Sequence, residues 1–272
     1  MCWKPFRIRR TPLAALLLVA LLGAPAIASA QIAVLGNPVE ERTAAPGTSY
    51  VGTIVVKNLT DRPQPARIYQ SDYSFFSDGT SHFDPPGSVG RSNAAWVTPS
   101  TSSIIIPPSG EMTVAYTVRV PAVDTLRGTY WSTIMVEGAP NVPHATSSRQ
   151  MGLGTVMRYA VQLATHLSSS GSNKVGFAKQ RFITQENGTE SLELEVTNTG
   201  ERGYRPLVWA ELYDVKGTLL ARRQQQRGLL YPGTSIKQTF DLGKLPHGAY
   251  KAIVFADTGD DTVVAAQYKV SF

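Results

Sequence analysis

Short apolar runs recur roughly every ten residues along most of this chain, and turn-forming residues separate them. The runs are rich in Val, Ile, Thr, Tyr and Phe, and Gly, Pro, Asn and Asp stand between them. No segment keeps the 3.6-residue period of an amphipathic helix. This pattern is typical of antiparallel β-sandwiches rather than of helical or α/β folds.

The runs fall into two groups, and each group has the number of strands expected of one immunoglobulin-like sandwich. In the first group the predicted strands are Ile32–Val39, Tyr50–Lys57, Ala66–Tyr73, Ala95–Thr98, Ser102–Ile106, Met112–Val120, Gly128–Glu137 and Leu153–Leu167. In the second they are Val175–Phe182, Ser191–Thr197, Leu207–Tyr213, Leu219–Arg223, Ile236–Phe240, Tyr250–Ala256 and Thr262–Ser271.

A Ser/Gly-rich segment, "SSSGSNK", separates the two groups and is typical of a flexible linker. We therefore expect one domain over 31–168, a linker over 169–174 and a second sandwich over 175–272. Two details favour the second sandwich. Tyr250 stands where a tyrosine corner could form, and the polar stretch Arg222–Arg227 suits a strand at a sheet edge.

The first thirty residues have the pattern of a secretory signal peptide, with four basic residues before Leu13–Leu22 and Ala28-Ser29-Ala30 at the end. The apolar run is shorter than the roughly 20 residues that span a bilayer. We expect cleavage near Ala30, a periplasmic or secreted product, and no membrane anchor in the mature chain. The predicted fold is thus all-β, with two immunoglobulin-like β-sandwich domains in tandem after a signal peptide.

Removing the signal changes the charge and the cysteine content. The whole chain has 26 basic and 20 acidic residues, and without the four signal bases 22 basic residues remain. No dense basic patch is present, so nucleic acid is not an expected partner. Cys2 is the single cysteine of the sequence and lies in the signal. The mature chain therefore offers neither a disulfide nor a thiolate nucleophile.

Motifs of catalysis are absent from the sequence, which contains no G-x-S-x-G elbow, no H-E-x-x-H and no P-loop. We expect a protein that is not an enzyme and binds no cofactor or metal. Asp257, Asp260 and Asp261 favour a solvated hairpin turn over a calcium loop. The histidines are scattered, and we expect them to face solvent: His82, His144, His166 and His247.

One aromatic cluster is a candidate recognition surface, because aromatic rings stack on sugars and carboxylates bind hydroxyls. The competing interpretation is that most of its rings pack in the core. Its rings are Tyr69, Tyr73, Phe75, Phe76 and Phe83, and its acids are Asp72 and Asp78.

Four segments follow one another along the first group of strands: "NPVEERTAAPGTSYVGTIVVKNLTDRP", "WVTPSTSSIIIPPSGEMTVAYTVRVP", "LRGTYWSTIMVEG" and "GLGTVMRYAVQL". That order resembles the N-terminal domain of periplasmic pilus chaperones. It is still more similar to the peptidoglycan-binding domain of WxL-interacting surface proteins, which is likewise followed by a second sandwich. Both resemblances imply an immunoglobulin-like fold, and the first implies two cleft bases that hold a client's terminal carboxylate. Arg158 matches the last-strand base, whereas the predicted first strand contains no base, and Arg42 follows only after Glu40-Glu41.

The resemblance also implies that the last strand of the first domain pairs with a client strand. If its odd-numbered residues fill the core, the even-numbered ones, among them Val156, Arg158 and Ala160, are offered to the partner. These side chains are small or polar. The candidate binding residues are Arg158, Val156, Ala160, Tyr73, Phe75 and Phe76.

The favoured interpretation is an exported, non-enzymatic cell-envelope protein that binds a protein partner or a cell-wall polymer and supports surface-structure assembly or adhesion. The alternative is a periplasmic pilus assembly chaperone that captures subunits through the last strand of its first domain. The expected partner is an envelope or surface protein, with a cell-wall glycan as a second option. The apolar stretch Leu126–Gly138 is predicted to be a central strand beside that last strand.

Overall fold

The computed structural model describes residues 31–140, 155–168, 170–260 and 263–272. In these residues the backbone forms seventeen β-strands and one short 3₁₀ turn, Ala94–Trp96. The prediction of an all-β fold built from sandwiches is confirmed. The expected signal peptide and its cleavage site lie outside the described residues.

The first sandwich has one sheet in the order β1-β3-β8-β6 and a second in the order β2-β10-β9-β4-β5, with β7 paired to β4. Leu126–Gly138 supplies β9, which lies between β10 and β4, so its prediction as a central strand is confirmed. The strands are β1 Ile32–Leu35, β2 Val39–Ala44, β3 Ser49–Asn58, β4 Gln64–Phe75, β5 Ser81–Asp84, β6 Val97–Pro99, β7 Ser103–Ile106, β8 Glu111–Arg119, β9 Gly128–Gly138 and β10 Arg158–Leu167.

The prediction of a single first strand over Ile32–Val39 is wrong. The chain turns at Gly36, whose φ of 99° suits glycine, and Pro38 follows. As a result β1 pairs antiparallel with β3 in one sheet, whereas β2 pairs parallel with β10 in the other. The acidic pair and Arg42 therefore belong to a strand instead of following one.

Three other predictions differ from the structure. Strand β5, Ser81–Asp84, was not expected, and it pairs with β4 to form a hairpin. The run at Ala95–Thr98 divides into the 3₁₀ turn and β6. The last strand was expected from Leu153, but β10 begins at Arg158, and residues 153 and 154 lie outside the described part.

The second sandwich packs a sheet in the order β11-β12-β15 on a sheet in the order β14-β13-β16-β17. Strand β14 lies at a sheet edge, as its polar sequence predicts. The tyrosine corner is confirmed, since the Tyr250 hydroxyl donates to the Pro246 carbonyl over 2.6 Å. The strands are β11 Val175–Thr184, β12 Glu190–Asn198, β13 Leu207–Tyr213, β14 Leu219–Gln226, β15 Ser235–Gly243, β16 Ala249–Asp257 and β17 Val263–Ser271.

A buried asparagine closes the turn after β3 in the first sandwich and after β12 in the second. The Asn58 side chain donates to three backbone carbonyls and accepts the Thr60 N–H over 2.8 Å. The Asn198 side chain donates to the Arg202 carbonyl and accepts the Gly200 N–H over 2.9 Å. Each amide satisfies backbone groups that the turn would otherwise leave unpaired in the core.

Each sandwich has its own core, and a third cluster contains residues from both. That cluster joins Trp131 and Ala164 of the first sandwich to Leu229 and Tyr231 of the second. Residues 31–272 form one compact unit. The proposed domain borders at 168 and 175 stay a prediction, because sheet membership alone does not show independent folding.

Candidate functional site on strand β10

One long edge of β10 is covered over only part of its length. The parallel partner β2 pairs with Gln162–Leu167, and β9 pairs with the other edge from Arg158 to Leu167. Within the described ranges, no strand lies beside Arg158–Val161 on the β2 side. We call these four residues the open edge of β10.

Two hydrogen bonds show which backbone groups of β10 face outward. The Gly138 N–H donates to the Met157 carbonyl across the β9 side, and the Gln162 N–H donates to the Pro38 carbonyl on the opposite side. Because successive residues of a strand direct their backbone groups to alternate sides, the N–H and C=O groups of Arg158 and Ala160 point to the open edge. They are available to bind an added strand.

The odd-numbered side chains of β10 fill the core. Val161 is 3% exposed and Leu163 is 1% exposed. The Tyr159 hydroxyl donates to the Ile32 carbonyl over 2.7 Å, which fixes this end of β10 on β1. The even-numbered residues lie on the outer face, where Ala160 is half-buried and Arg158 is exposed.

Arg158 is ion-paired and is not a free base. Its Nε lies 2.6 Å from a Glu137 carboxylate oxygen, which also accepts the Tyr69 hydroxyl over 2.9 Å. Burial of Glu137 acts to raise the pKa of that carboxyl, but the hydrogen bonds from Arg158 and Tyr69 outweigh it and hold the pKa below its ordinary value. A client carboxylate at Arg158 would have to compete with Glu137.

The other predicted residues near β10 lie just before the strand. Val156 is 37% exposed and the neighbouring Met157 is 39% exposed. Both precede the open edge and extend its exposed surface. Residues 153 and 154, which the sequence also placed on this strand, lie outside the described part.

The aromatic cluster is divided between buried and exposed positions. Tyr73 and Phe75 pack on the cluster shared by the two sandwiches, and the Phe75 ring meets the Tyr231 ring edge-on at 6.3 Å. Phe76 and Phe83 remain exposed. The Asp72 carboxylate is fully buried and accepts the Ser92 hydroxyl over 2.6 Å and the Val89 N–H over 2.8 Å.

A polar cluster between the sandwiches, which the sequence did not predict, joins Glu41, His166 and Arg205. The Arg205 guanidinium pairs with both carboxylate oxygens of Glu41, and His166 Nε2 lies 3.2 Å from one of them. His166 Nδ1 lies 2.8 Å from the Thr129 hydroxyl, which accepts the Gly203 N–H. The expectation that His166 faces solvent is wrong, because the β2–β10 register pairs it with Thr43, on the same face of β2 as Glu41, and its ring lies against the Glu41 carboxylate.

This cluster shifts the acid–base properties of both partners. The Arg205 hydrogen bond lowers the pKa of Glu41 despite the opposing effect of burial. Burial lowers the pKa of His166, and this effect exceeds the raising effect of the Glu41 carboxylate. Nearby Arg202 and Arg205 lower it further. The favoured state is therefore a neutral imidazole beside a carboxylate that is bound to Arg205.

A second contact between the sandwiches lies at the tip of the β4–β5 hairpin. The Ser77 hydroxyl donates to the Glu195 carboxylate, and the Ser77 N–H donates to the Ser235 hydroxyl over 3.0 Å. Lys179 pairs with the same carboxylate at 3.0 Å. The hairpin that the strand prediction missed therefore attaches the first sandwich to the second.

The described part of the chain contains no group of three or more His, Cys, Asp or Glu side chains placed to hold a metal ion. Asp257 accepts the Gly259 N–H over 2.8 Å in the hairpin between β16 and β17, which agrees with the turn interpretation. Asp261 lies outside the described residues. No helix among the described residues is long and apolar enough to cross a membrane.

No protein-family model and no curated protein matches this chain. Among solved structures it is similar to a chaperone–tip adhesin complex of CFA/I fimbriae biogenesis, at 9% identity over 88% of this chain and 98% of that one, with a TM-score of 0.46. It is similar to the class 5 fimbriae chaperone CfaA, at 11% identity, 87% and 98% coverage, and a TM-score of 0.45. A third is the CsuC–CsuE complex of Acinetobacter baumannii, at 13% identity, 80% and 98% coverage, and a TM-score of 0.40.

These solved structures are remote from the chain in sequence and in geometry. Only the site itself therefore bears on the function of the chain.

Proposed function

We propose that this protein is an exported, non-enzymatic envelope protein that captures an extended segment of a surface protein by β-strand addition to the open edge of β10. In this proposal the protein acts, more specifically, as an assembly chaperone for surface subunits. The observation that carries the proposal is the incomplete cover of β10, whose edge is paired from Gln162 onward and has no partner strand over Arg158–Val161 among the described residues.

Strand addition suits the chemistry of this edge. Main-chain hydrogen bonds supply affinity in such complexes, and pockets for alternate side chains supply specificity. The side of the edge that faces the core is apolar, with Val161 buried, while Arg158 and Ala160 face outward. An added strand could form hydrogen bonds with the backbone groups of two residues. The small Ala160 side chain would obstruct it little.

The geometry favours a protein segment over a cell-wall glycan as the ligand. In the aromatic cluster, Tyr73 and Phe75 pack on the cluster shared by the sandwiches, and the buried Asp72 carboxylate accepts hydrogen bonds from within the protein. These groups are therefore occupied by internal contacts, whereas the backbone groups of the open edge pair with no strand in the part of the chain that the structure describes.

The test is capture of envelope proteins by two variants of one residue. Ala160→Pro removes an N–H that points to the open edge and leaves the hydrogen bonds to β9 in place, since proline is tolerated where the N–H faces away from the sheet. Ala160→Ser keeps the N–H and serves as the matched control. Each variant would be incubated with envelope extract, and retained material would be identified by mass spectrometry and glycan analysis.

We expect a discrete protein to be retained by the unchanged chain and by Ala160→Ser, and lost with Ala160→Pro. A photo-crosslinking residue at position 160 should mark the same protein, and one at the exposed position 223 should not. Equal capture by both Ala160 variants would overturn strand addition. Retention of glycan without protein would overturn the chaperone role.

A further inference from the structure

A basic groove lies at one end of the second sandwich, on surface that the proposed function does not use. It lies between the β13–β14 turn and the paired ends of β16 and β17, and it encloses about 620 Å³. Its charged lining residues are Asp214, Lys216, Lys251 and Lys269. Lysines thus outnumber acids by two on its walls.

Two of these lysines stand directly opposite each other across neighbouring strands. Lys251 of β16 is the Cα partner of Lys269 of β17, so both side chains lie on the same face. Like charges in directly opposed positions repel each other and destabilise a sheet. Such a pair of lysines lowers the stability of the fold locally unless a bound anion neutralises their repulsion.

The protein itself supplies little countercharge. Among the described residues, the lysines that form ion pairs are Lys57, Lys179 and Lys237. Lys251 Nζ instead lies 5.3 Å from the centre of the Tyr213 ring. The one acid of the groove, Asp214, directs an oxygen to the backbone N–H groups of Lys216 and Thr218, each 2.8 Å away, and so holds the turn.

We propose that the groove formed by Lys216, Lys251 and Lys269 binds a phosphate monoester. The charge complementarity is direct, because a phosphate monoester carries between −1.5 and −2 charges, approximately, at neutral pH, and the lining carries a surplus of two positive charges. Lysine binds phosphate as a point charge and needs no planar geometry. Val215 and Val270 add apolar wall that suits an organic group attached to the phosphate.

The same phosphate chemistry occurs on soluble phosphorylated compounds and on lipid headgroups, so the experiment has an arm for each. In the first arm, phenyl phosphate is titrated into the ¹⁵N-labelled chain 31–272, which forms one compact unit, and backbone signals are followed. Phenyl sulfate is the comparison, because its charge does not change near pH 6. In the second arm, flotation measures binding to vesicles of phosphatidylcholine with and without phosphatidic acid.

We expect phenyl phosphate to shift signals of the turn 214–217 and of the ends of β16 and β17, with weaker binding below about pH 6, where the ester gains a proton. Lys251→Gln/Lys269→Gln should weaken binding about tenfold or more. The variant Lys57→Gln/Lys244→Gln makes the same change in net charge outside the groove and should bind as the unchanged chain does.

Each outcome decides the proposal. Binding of phenyl phosphate that depends on the lysine pair supports a soluble ester, and binding restricted to phosphatidic acid vesicles with the same dependence supports a lipid headgroup. No binding in either arm, or equal binding by both double variants, overturns it. The melting temperature of Lys251→Gln/Lys269→Gln should equal or exceed that of the unchanged chain, because the repulsion is removed. If that variant unfolds, Lys216→Gln in the exposed turn provides the same test.

Discussion

The indole of Trp131 and the ring of Tyr231 stack face to face, with centroids 4.6 Å apart and planes 6° apart, although the two residues belong to different sandwiches. Both rings are almost fully buried. The Tyr231 hydroxyl also donates to the Gln162 side chain of β10 over 2.8 Å. The second sandwich therefore contacts β10, the strand that is proposed to bind a partner, and helps to fix its position.

Removing the Tyr231 ring should destabilise the whole chain. Tyr231→Ala is expected to lower the free energy of unfolding by about 3–5 kcal/mol, because it leaves a cavity beside Trp131. Tyr231→Phe should cost about 1 kcal/mol, since it removes one hydrogen bond and keeps the stack. Urea denaturation of both variants measures the difference. Equal losses would show that the ring contact contributes nothing beyond the hydrogen bond.

Acid should weaken the contact between the sandwiches in two stages. The folded-state pKa of His166 lies below 6.5, so the unfolded chain takes up that proton first and stability falls as the pH drops below 6.5. The pKa of Glu41 is also lowered, so its contribution is complete above 4.5 and is lost as the pH falls through the folded-state value.

His166→Gln should remove the first stage, and His247→Gln, at an exposed position, should leave it unchanged. Denaturant midpoints measured between pH 7.5 and pH 4 test both statements. An unchanged slope near pH 6 in His166→Gln would contradict the assignment to this residue.

The buried polar network around Asn93 should be intolerant of truncation. Asn93 is fully buried, donates to the Leu163 carbonyl and the Thr165 hydroxyl, each 3.0 Å away, and accepts the Ser132 hydroxyl over 2.6 Å. Asn93→Ala leaves these buried partners without a hydrogen bond and should lower the free energy of unfolding by about 2–3 kcal/mol. Asn187→Ala, in an exposed turn, should cost less than about 1 kcal/mol. Similar melting temperatures for both variants would contradict this account.

Replacement of Gly52 should destabilise the fold for a steric reason. A Cβ atom there would lie 2.2 Å from the Tyr116 ring, which is 2% exposed and whose pKa burial raises to about 12. Gly52→Ala should cost about 1–3 kcal/mol through overpacking. Gly90→Ala meets no atom within 4 Å and is the control. A thermal melt of each variant distinguishes them, and a harmless Gly52→Ala would show that Tyr116 moves aside freely.

The strands and their turns were largely predictable because their signals are local. Leu207–Tyr213 has the same bounds in the prediction and in the structure, and the Tyr250 corner was anticipated from a few neighbouring residues. The break at Gly36–Pro38 has an equally local signal, because a glycine two residues before a proline is typical of a turn. The short strand β5 was not predicted, because four residues between turns are too few to show an alternation of apolar and polar positions.

The site depended on information that no local pattern contains. Arg158 matches the cleft base that would hold a client carboxylate, and only the structure shows that Glu137 lies opposite it across β9 and β10 and pairs with it. His166 was expected in solvent, but it meets Glu41 from a strand more than a hundred residues away. Tyr231 gave no sign in the sequence that it would stack on Trp131.

The sequence by itself determined an all-β chain with two groups of strands, because alternation and turn residues act over a few neighbouring positions. Only the tertiary structure decided which stretch of β10 has no partner strand among the described residues, which charges neutralise each other and which lysines stand opposite each other. Those relationships depend on the register between distant strands, and packing of the whole core sets that register.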